Sequence, residues 1–160
     1  MRLSIDEYGC FLSLVGKSRS EDYFTCCSAV GITKDKRVIG ISYNGLKAGM
    51  TVPEWMKLEQ NREKKSDYYL HAESNLFSLI KNDECNTIYL NISPCLACSR
   101  LIAAQNVKKV VYLQEYHRCN KFKEFFDFYG IEHYELSRDG KDNILNYLAD
   151  QSNFKELERA

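Results

Sequence analysis

What most constrains this chain is a hydrophobic period that changes repeatedly between residues 71 and 136. A helix-like pattern over 71–81 gives way to the β-rich run "TIYLNI" at 87–92. A second helical pattern, 95–105, leads to "KVVYL" at 109–113. A third, 120–129, ends at Gly130 and leads to "IEHYEL" at 131–136. Short apolar strands alternating with helices predict an α/β layered domain. A helix, not a tight turn, joins the strands near 110 and 133. Parallel neighbours need such a crossover, so these two are predicted to pair in parallel.

Upstream, a first helix is predicted over about 4–17. Ser4 and Glu7 have capping-box spacing, and Leu3 and Tyr8 have that of a hydrophobic staple. Phe11, Leu12, Leu14 and Val15 continue an apolar face. The runs "TCCSAVGIT" and "RVIGISYNG" flank the polar turn "KDK" and read as a hairpin. Residues 46–68, with Trp55 and "NREKKSD", read as a polar, irregular connection; long loops in compact domains often carry function. The last helical material is expected after Asp139-Gly140. With no repeat or linker, residues 1–160 read as a single domain large enough for a real core.

Lys+Arg and Asp+Glu number 22 each, so no net field draws the chain to nucleic acid or an anionic membrane. No apolar run approaches the roughly 18 residues of a spanning helix. The opening "MRLSIDEYGC" lacks a signal-peptide core, and a cytoplasmic location is expected. Seven cysteines, an odd number without a secretory context, argue against a disulfide framework. Asn91-Ile92-Ser93 matches a glycosylation acceptor, but with Pro94 following and no secretion it carries little weight.

Two short motifs carry chemistry. His71-Ala72-Glu73 opens one predicted helix, and Pro94-Cys95-Leu96-Ala97-Cys98 opens the next. Proline suits a helix start. Cysteines at i and i+3 leave one face of a first turn, where the helix dipole favours the thiolate that zinc requires. One imidazole and two thiolates leave a tetrahedral zinc its fourth position for water, the mark of a catalytic site. Zinc lowers that water's pKa toward about 7. Glu73 does not share a helical stripe with His71, yet in a first turn facing a cavity both can border it, and a carboxylate there can move the water's proton. H-x-E…P-C-x-x-C is the zinc-deaminase signature.

Alone, a C-x-x-C pair is as often redox-active or structural, and an H-x-E is usually surface decoration. Their order, at two helix starts after strands, favours deamination. Cys10, Cys26, Cys27, Cys85 and Cys119 read as packing or incidental thiols. His117 and His133 read as non-ligands, His133 serving structure.

On these residues the chain resembles the deoxycytidylate (dCMP) deaminases of the cytidine-deaminase-like superfamily, especially compact viral ones. "SYNG" at 42–45 is similar to the family's G-Y-N-G, "HAESN" to H-A-E-x-N through Asn75, and "VVYLQEY" to its strand, acidic residue and tyrosine. "REKK" before "HAE" looks like a segment common in the family. The resemblance implies a three-layer α/β/α sandwich around a mixed five-stranded sheet of order 2-1-3-4-5. It implies Zn2+ on His71, Cys95 and Cys98, with Glu73 as proton shuttle. The Ala72 amide would meet the pyrimidine O2, and the Ser93 carbonyl the 4-amino group. Asn44 would bind the sugar, and Tyr116 would wall the pocket. It further implies dCTP and dTTP as effectors with Mg2+, a homo-oligomer (commonly a hexamer), supply of dUMP for thymidylate synthesis, and host cytoplasm for a viral member.

The chain also departs from the pattern. "SYNGLKAG" replaces G-Y-N-G-x-P-x-G, and Leu76 stands where alanine is usual. His117 and Arg118 follow the tyrosine where a basic residue is frequent, and "CSAVGIT" blurs the first strand's V-G-A. Structural roles remain open for several residues: a turn for Asn44-Gly45, backbone satisfaction for Asn75, an amphipathic surface for Tyr116. Arg62, Lys64 and Lys65 read as a solvated patch or as contacts to phosphate or effector, as do the basic residues at 118–123. The rival functions are deamination of dCTP, of a modified cytidylate or of a base in a polynucleotide, and a zinc-stabilised binding module without turnover. Glu73 argues against the last, since structural zinc needs no such acid.

Overall fold

The computed structural model describes residues 1–117 and 119–158. In chain order the elements are α1 (Ile5–Lys17), β1 (Ser28–Ile32), β2 (Val38–Tyr43), α2 (Arg62–Ser66), α3 (Ala72–Leu79), β3 (Thr87–Leu90), α4 (Leu96–Ala104), β4 (Lys109–Tyr112), α5 (Lys121–Tyr129), β5 (Glu132–Glu135), α6 (Arg138–Ala149) and α7 (Lys155–Glu158). The sheet order is β2-β1-β3-β4-β5. β1 pairs antiparallel with β2 and β3, while β3–β4 and β4–β5 are parallel. The fold is thus the expected α/β/α sandwich around a mixed sheet. The parallel set extends to β3 because α4 carries the chain from β3 to β4.

Strand alternation divides the core in two. Ala29, Ile88, Leu90, Val110 and Tyr112 face α3, α4 and α5 through Leu76, Ile102, Phe122 and Phe126. Val30, Tyr89 and Val111 face α1 and α6 through Cys10, Leu12 and Ile144. Cys10 and Cys85 are buried apolar packing, as expected. Gly9 lets α1 lie flush on the sheet: a Cβ there would overlap the Tyr89 ring. Gly130 closes α5 in the left-handed region at φ 65°.

Ser4 and Glu7 complete the capping box of α1. Two local expectations need correction. Segment 46–68 is not wholly irregular; it holds 3₁₀ turns at Glu54–Lys57 and Glu59–Asn61, and then α2. Asp139-Gly140 lies inside α6, because the Ser137 hydroxyl accepts from the Gly140 amide and starts the helix earlier. Asn91, already given little weight as a glycosylation acceptor, is structural. It is 5% exposed, accepts from the Ser28 amide and donates to the Cys26 carbonyl. His133 serves structure, packed against Phe122 and Phe126 with Nε2 2.8 Å from Asp127.

Below the sheet Asp6 accepts from Tyr89 Oη (2.6 Å), Tyr134 Oη (2.5 Å) and Lys109 Nζ (2.9 Å). Burial pushes its carboxyl pKa up, but these donors outweigh burial and hold it below the ordinary value. A carboxyl depressed by folding stabilises above its unfolded pKa of about 4, and that contribution is lost as pH falls through the folded value. Asp6→Asn is therefore expected to cost roughly 2 kcal/mol at neutral pH, a gap that narrows below about pH 4. Urea unfolding of both proteins at pH 7 and pH 3 checks this; a gap of constant size would contradict it.

Candidate active site

The chemistry gathers where two helices begin. His71 is the N-cap of α3, and Cys95 that of α4. The first ligand of each motif thus stands one residue before its helix, and Pro94 precedes the cap instead of opening the first turn. The Cys95 sulfur accepts from the Cys98 amide at 3.5 Å, so it already plays the cap's part. β2 holds α3 in place: Ser42 Oγ donates to the Ala72 carbonyl at 2.6 Å, and Asn75 Nδ2 to the Tyr43 carbonyl at 2.8 Å. The second contact gives Asn75 the structural role weighed for it.

His71 Nδ1 stands 3.3 Å from Cys98 Sγ and 3.7 Å from Cys95 Sγ. The three ligand atoms lie within 4.8 Å of one another. Tetrahedral ligands on zinc, with bonds of about 2.0–2.3 Å, stand roughly 3.3–3.8 Å apart. The set therefore fits zinc in both donor chemistry and spacing. The Cys98 thiol, donating to Cys95, brings the Cys95 pKa down to about 4, helped by His71 and the Cys98 amide and opposed by burial. The same hydrogen bond, with burial, pushes Cys98 up. A divalent cation can take the place of that shared proton. His71 is raised by its hydrogen bond to Cys95, against burial.

Glu73, on the first turn of α3, is 7% exposed. Burial raises its carboxyl pKa, while its own amide and His71 pull it down. It lines a cleft of about 200 Å³ together with His71, Cys95, Asn44, Ala72, Ser93 and Tyr116. Of the expected ligands, proton shuttle and substrate contacts, only Cys98 does not line the cleft; it is buried. The Ala72 amide, first in its helix, has no intrahelical acceptor. Ser93 Oγ accepts from the Tyr116 amide at 2.7 Å and holds the tyrosine's segment over the cleft.

Asn44 is used differently from the expectation. Oδ1 accepts from the Cys27 amide (2.8 Å) and Ser20 Oγ (2.6 Å); Nδ2 donates to Asp22 (3.0 Å) and the Thr25 carbonyl (3.0 Å). All four hydrogen-bonding positions hold the 20–27 segment, so a sugar contact would have to displace one of them. The basic cluster needs a correction too. Lys65 is not solvated: it is 5% exposed, with Nζ 2.5 and 2.6 Å from Asp22. Lys64 lies over Trp55, Lys123 pairs with Glu115, and Arg62 lines the cleft. Arg118 lies outside the described residues.

Asp22, Thr25, Cys27 and Tyr69 also line the cleft and were not anticipated. Asp22 meets Lys65 across 43 positions, a separation that leaves no local signal. For Tyr69 a signal existed: in extended chain a residue two before His71 faces the same side.

A family model described as "Cytidine and deoxycytidylate deaminase zinc-binding region" matches residues 8–114. The deoxycytidylate deaminase of Mycobacterium phage D29 is 34% identical over 124 residues, covering 69% of this chain and 94% of the relative. A probable deoxycytidylate deaminase of Caenorhabditis elegans is 32% identical over 110 residues, 64% of this chain; the match spans 54% of that longer protein. The dCMP deaminase of cyanophage S-TIM5, solved in complex with dCMP and dUMP, has a similar fold: TM-score 0.66 at 23% identity, covering 85% of this chain and 99% of that one.

Proposed function

The chain belongs to the cytidine and deoxycytidylate deaminase zinc-binding family, and from that premise we propose that it hydrolyses dCMP to dUMP and ammonia. The observation that carries this reading is the convergence of His71, Cys95 and Cys98 beside a buried Glu73 in one cleft. His71, Cys95 and Cys98 would hold zinc, whose chemistry there would be to lower the pKa of a water so that it could add to C4 of the pyrimidine at neutral pH. Glu73 would take that water's first proton and deliver it to N3, then take the proton of the hydroxyl now on C4 and pass it to the amine, which leaves as ammonia while the C4 carbonyl forms. Burial raises its pKa toward the working pH, which suits a group that accepts and returns protons. The Ala72 amide donates to O2 and the Ser93 carbonyl accepts from the 4-amino group. Tyr116 closes the cleft over the base, and Asn44 would meet the sugar only by giving up one of its contacts to the 20–27 segment.

The test is ammonia release from dCMP, dCTP, cytidine and a short single-stranded oligonucleotide. dCMP is expected to be the best substrate. Charge-assisted phosphate contacts should leave cytidine poorer by roughly 10²-fold or more in kcat/KM. Equal constants for dCMP and cytidine would place the enzyme with nucleoside or polynucleotide deaminases. The reading extends to control by dCTP and dTTP with magnesium, and to homo-oligomers. Turnover with each nucleotide, and mass in solution, test those extensions.

A further inference from the structure

Tyr69 lines the cleft and is 7% exposed, yet its hydroxyl has no hydrogen-bond partner among the described residues. Native interiors seldom keep such a group, and one that persists calls for a reason. Its neighbours do not supply a partner. Asp22 is occupied by Lys65, the Phe24 amide and Asn44. Lys65 Nζ sits 4.6 Å from the centre of the Tyr69 ring, against its face and not at the hydroxyl.

The cleft is lined by His71, Glu73 and Cys95 and also by Asp22, Arg62, Lys65 and Tyr69. A nucleotide whose base reacts beside Glu73 brings its sugar and phosphate against the rest of that lining. Within it Lys65 neutralises Asp22. Arg62, over the Phe24 ring at 5.4 Å, has only a long contact of 3.5 Å to Glu59, and the exposed Glu63 also borders the cleft. Burial, with the Asp22 charge, raises the Tyr69 pKa, so the phenol is a donor at neutral pH.

We propose that the Tyr69 hydroxyl donates to an oxygen of the substrate's 5′-phosphate, with Arg62 supplying charge, and so sets the preference for nucleotide over nucleoside. This rests on the deaminase reading above and names the residue that recognises the phosphate.

Tyr69→Phe tests it, because the change removes only the unpaired oxygen. The variant's melting temperature is expected to equal or exceed the parent's. Its kcat/KM for dCMP should fall about 10- to 100-fold, while that for deoxycytidine stays unchanged. Arg62→Gln, at a half-buried position, should shift the same ratio in the same direction. Calorimetric titration with dUMP and deoxyuridine should repeat the pattern without turnover. Equal losses on dCMP and deoxycytidine would make Tyr69 a sugar contact and overturn the proposal, as would an unchanged ratio. A marked fall in melting temperature would mean the hydroxyl has an internal partner, which overturns it as well. Failure of the parent protein to turn over dCMP would sink the reaction itself; turnover with an unaltered ratio in both variants sinks only the phosphate assignment.

Discussion

Glu73→Gln is expected to fold, to keep its zinc and to lose turnover by about 10⁴-fold or more. A positioned acid or base typically contributes about 10²–10⁴-fold. Here one carboxyl serves both proton transfers, to N3 and then to the amine, so the loss belongs at the upper end or beyond. The fold should tolerate the change, since glutamine matches the shape and a buried neutral amide avoids the desolvation that raises the Glu73 pKa. Ammonia release, metal content and a melting curve on one preparation decide the matter. Near-normal ammonia release from folded, zinc-loaded Glu73→Gln would remove the carboxyl from the reaction.

Cys95→Ser is expected to lose most of a zinc that the parent protein holds at about one per chain, and turnover with it. A serine hydroxyl does not ionise near neutrality, whereas the Cys95 thiol is held down at about 4 and offers a thiolate. The helix itself should survive. Cys95 is the N-cap of α4, and serine is among the residues preferred there. The substitution therefore separates metal binding from folding more cleanly than an alanine would. Cys98→Ser should lose zinc likewise. Elemental analysis after gel filtration gives the result. Stoichiometric zinc in either variant would contradict the ligand set, and zinc returned to chelator-treated parent protein should restore turnover.

Local rules set much of this protein in advance. The capping box at Ser4 and Glu7 and the left-handed stop at Gly130 act over three or four residues, and each is present. Strand alternation in "TIYL" and "KVVY" divides the side chains between two faces whatever the neighbours are. The metal set was legible for the same reason. Each motif occupies a single turn, so its spacing alone puts His71 near Glu73 and Cys95 near Cys98. Helix starts shifted, by one residue at Cys95 and by about three at Ser137, because a cap is settled by which side chain reaches the first amides.

Tertiary structure decided what depends on distant partners. Lys65 belongs to a charged run and by composition should face water. Asp22, 43 positions away, supplies the partner that makes its burial tolerable. Asn44 sits in a turn-like "NG", yet its amide is committed to Ser20, Asp22, Thr25 and Cys27 because β2 ends against that segment. Tyr69 reads as one aromatic among many. Only the packing of α2 and the 20–27 segment around it buries the ring and leaves its hydroxyl buried without a partner. The sequence by itself determined each catalytic motif, where Glu73 follows His71 and Cys98 follows Cys95 within a turn. The meeting of the two helix starts and the rest of the cleft depended on chain closure, since His71 and Cys95 are 24 positions apart and the ion pair and hydrogen bonds beside them join residues from 20 to 65 that no local spacing relates.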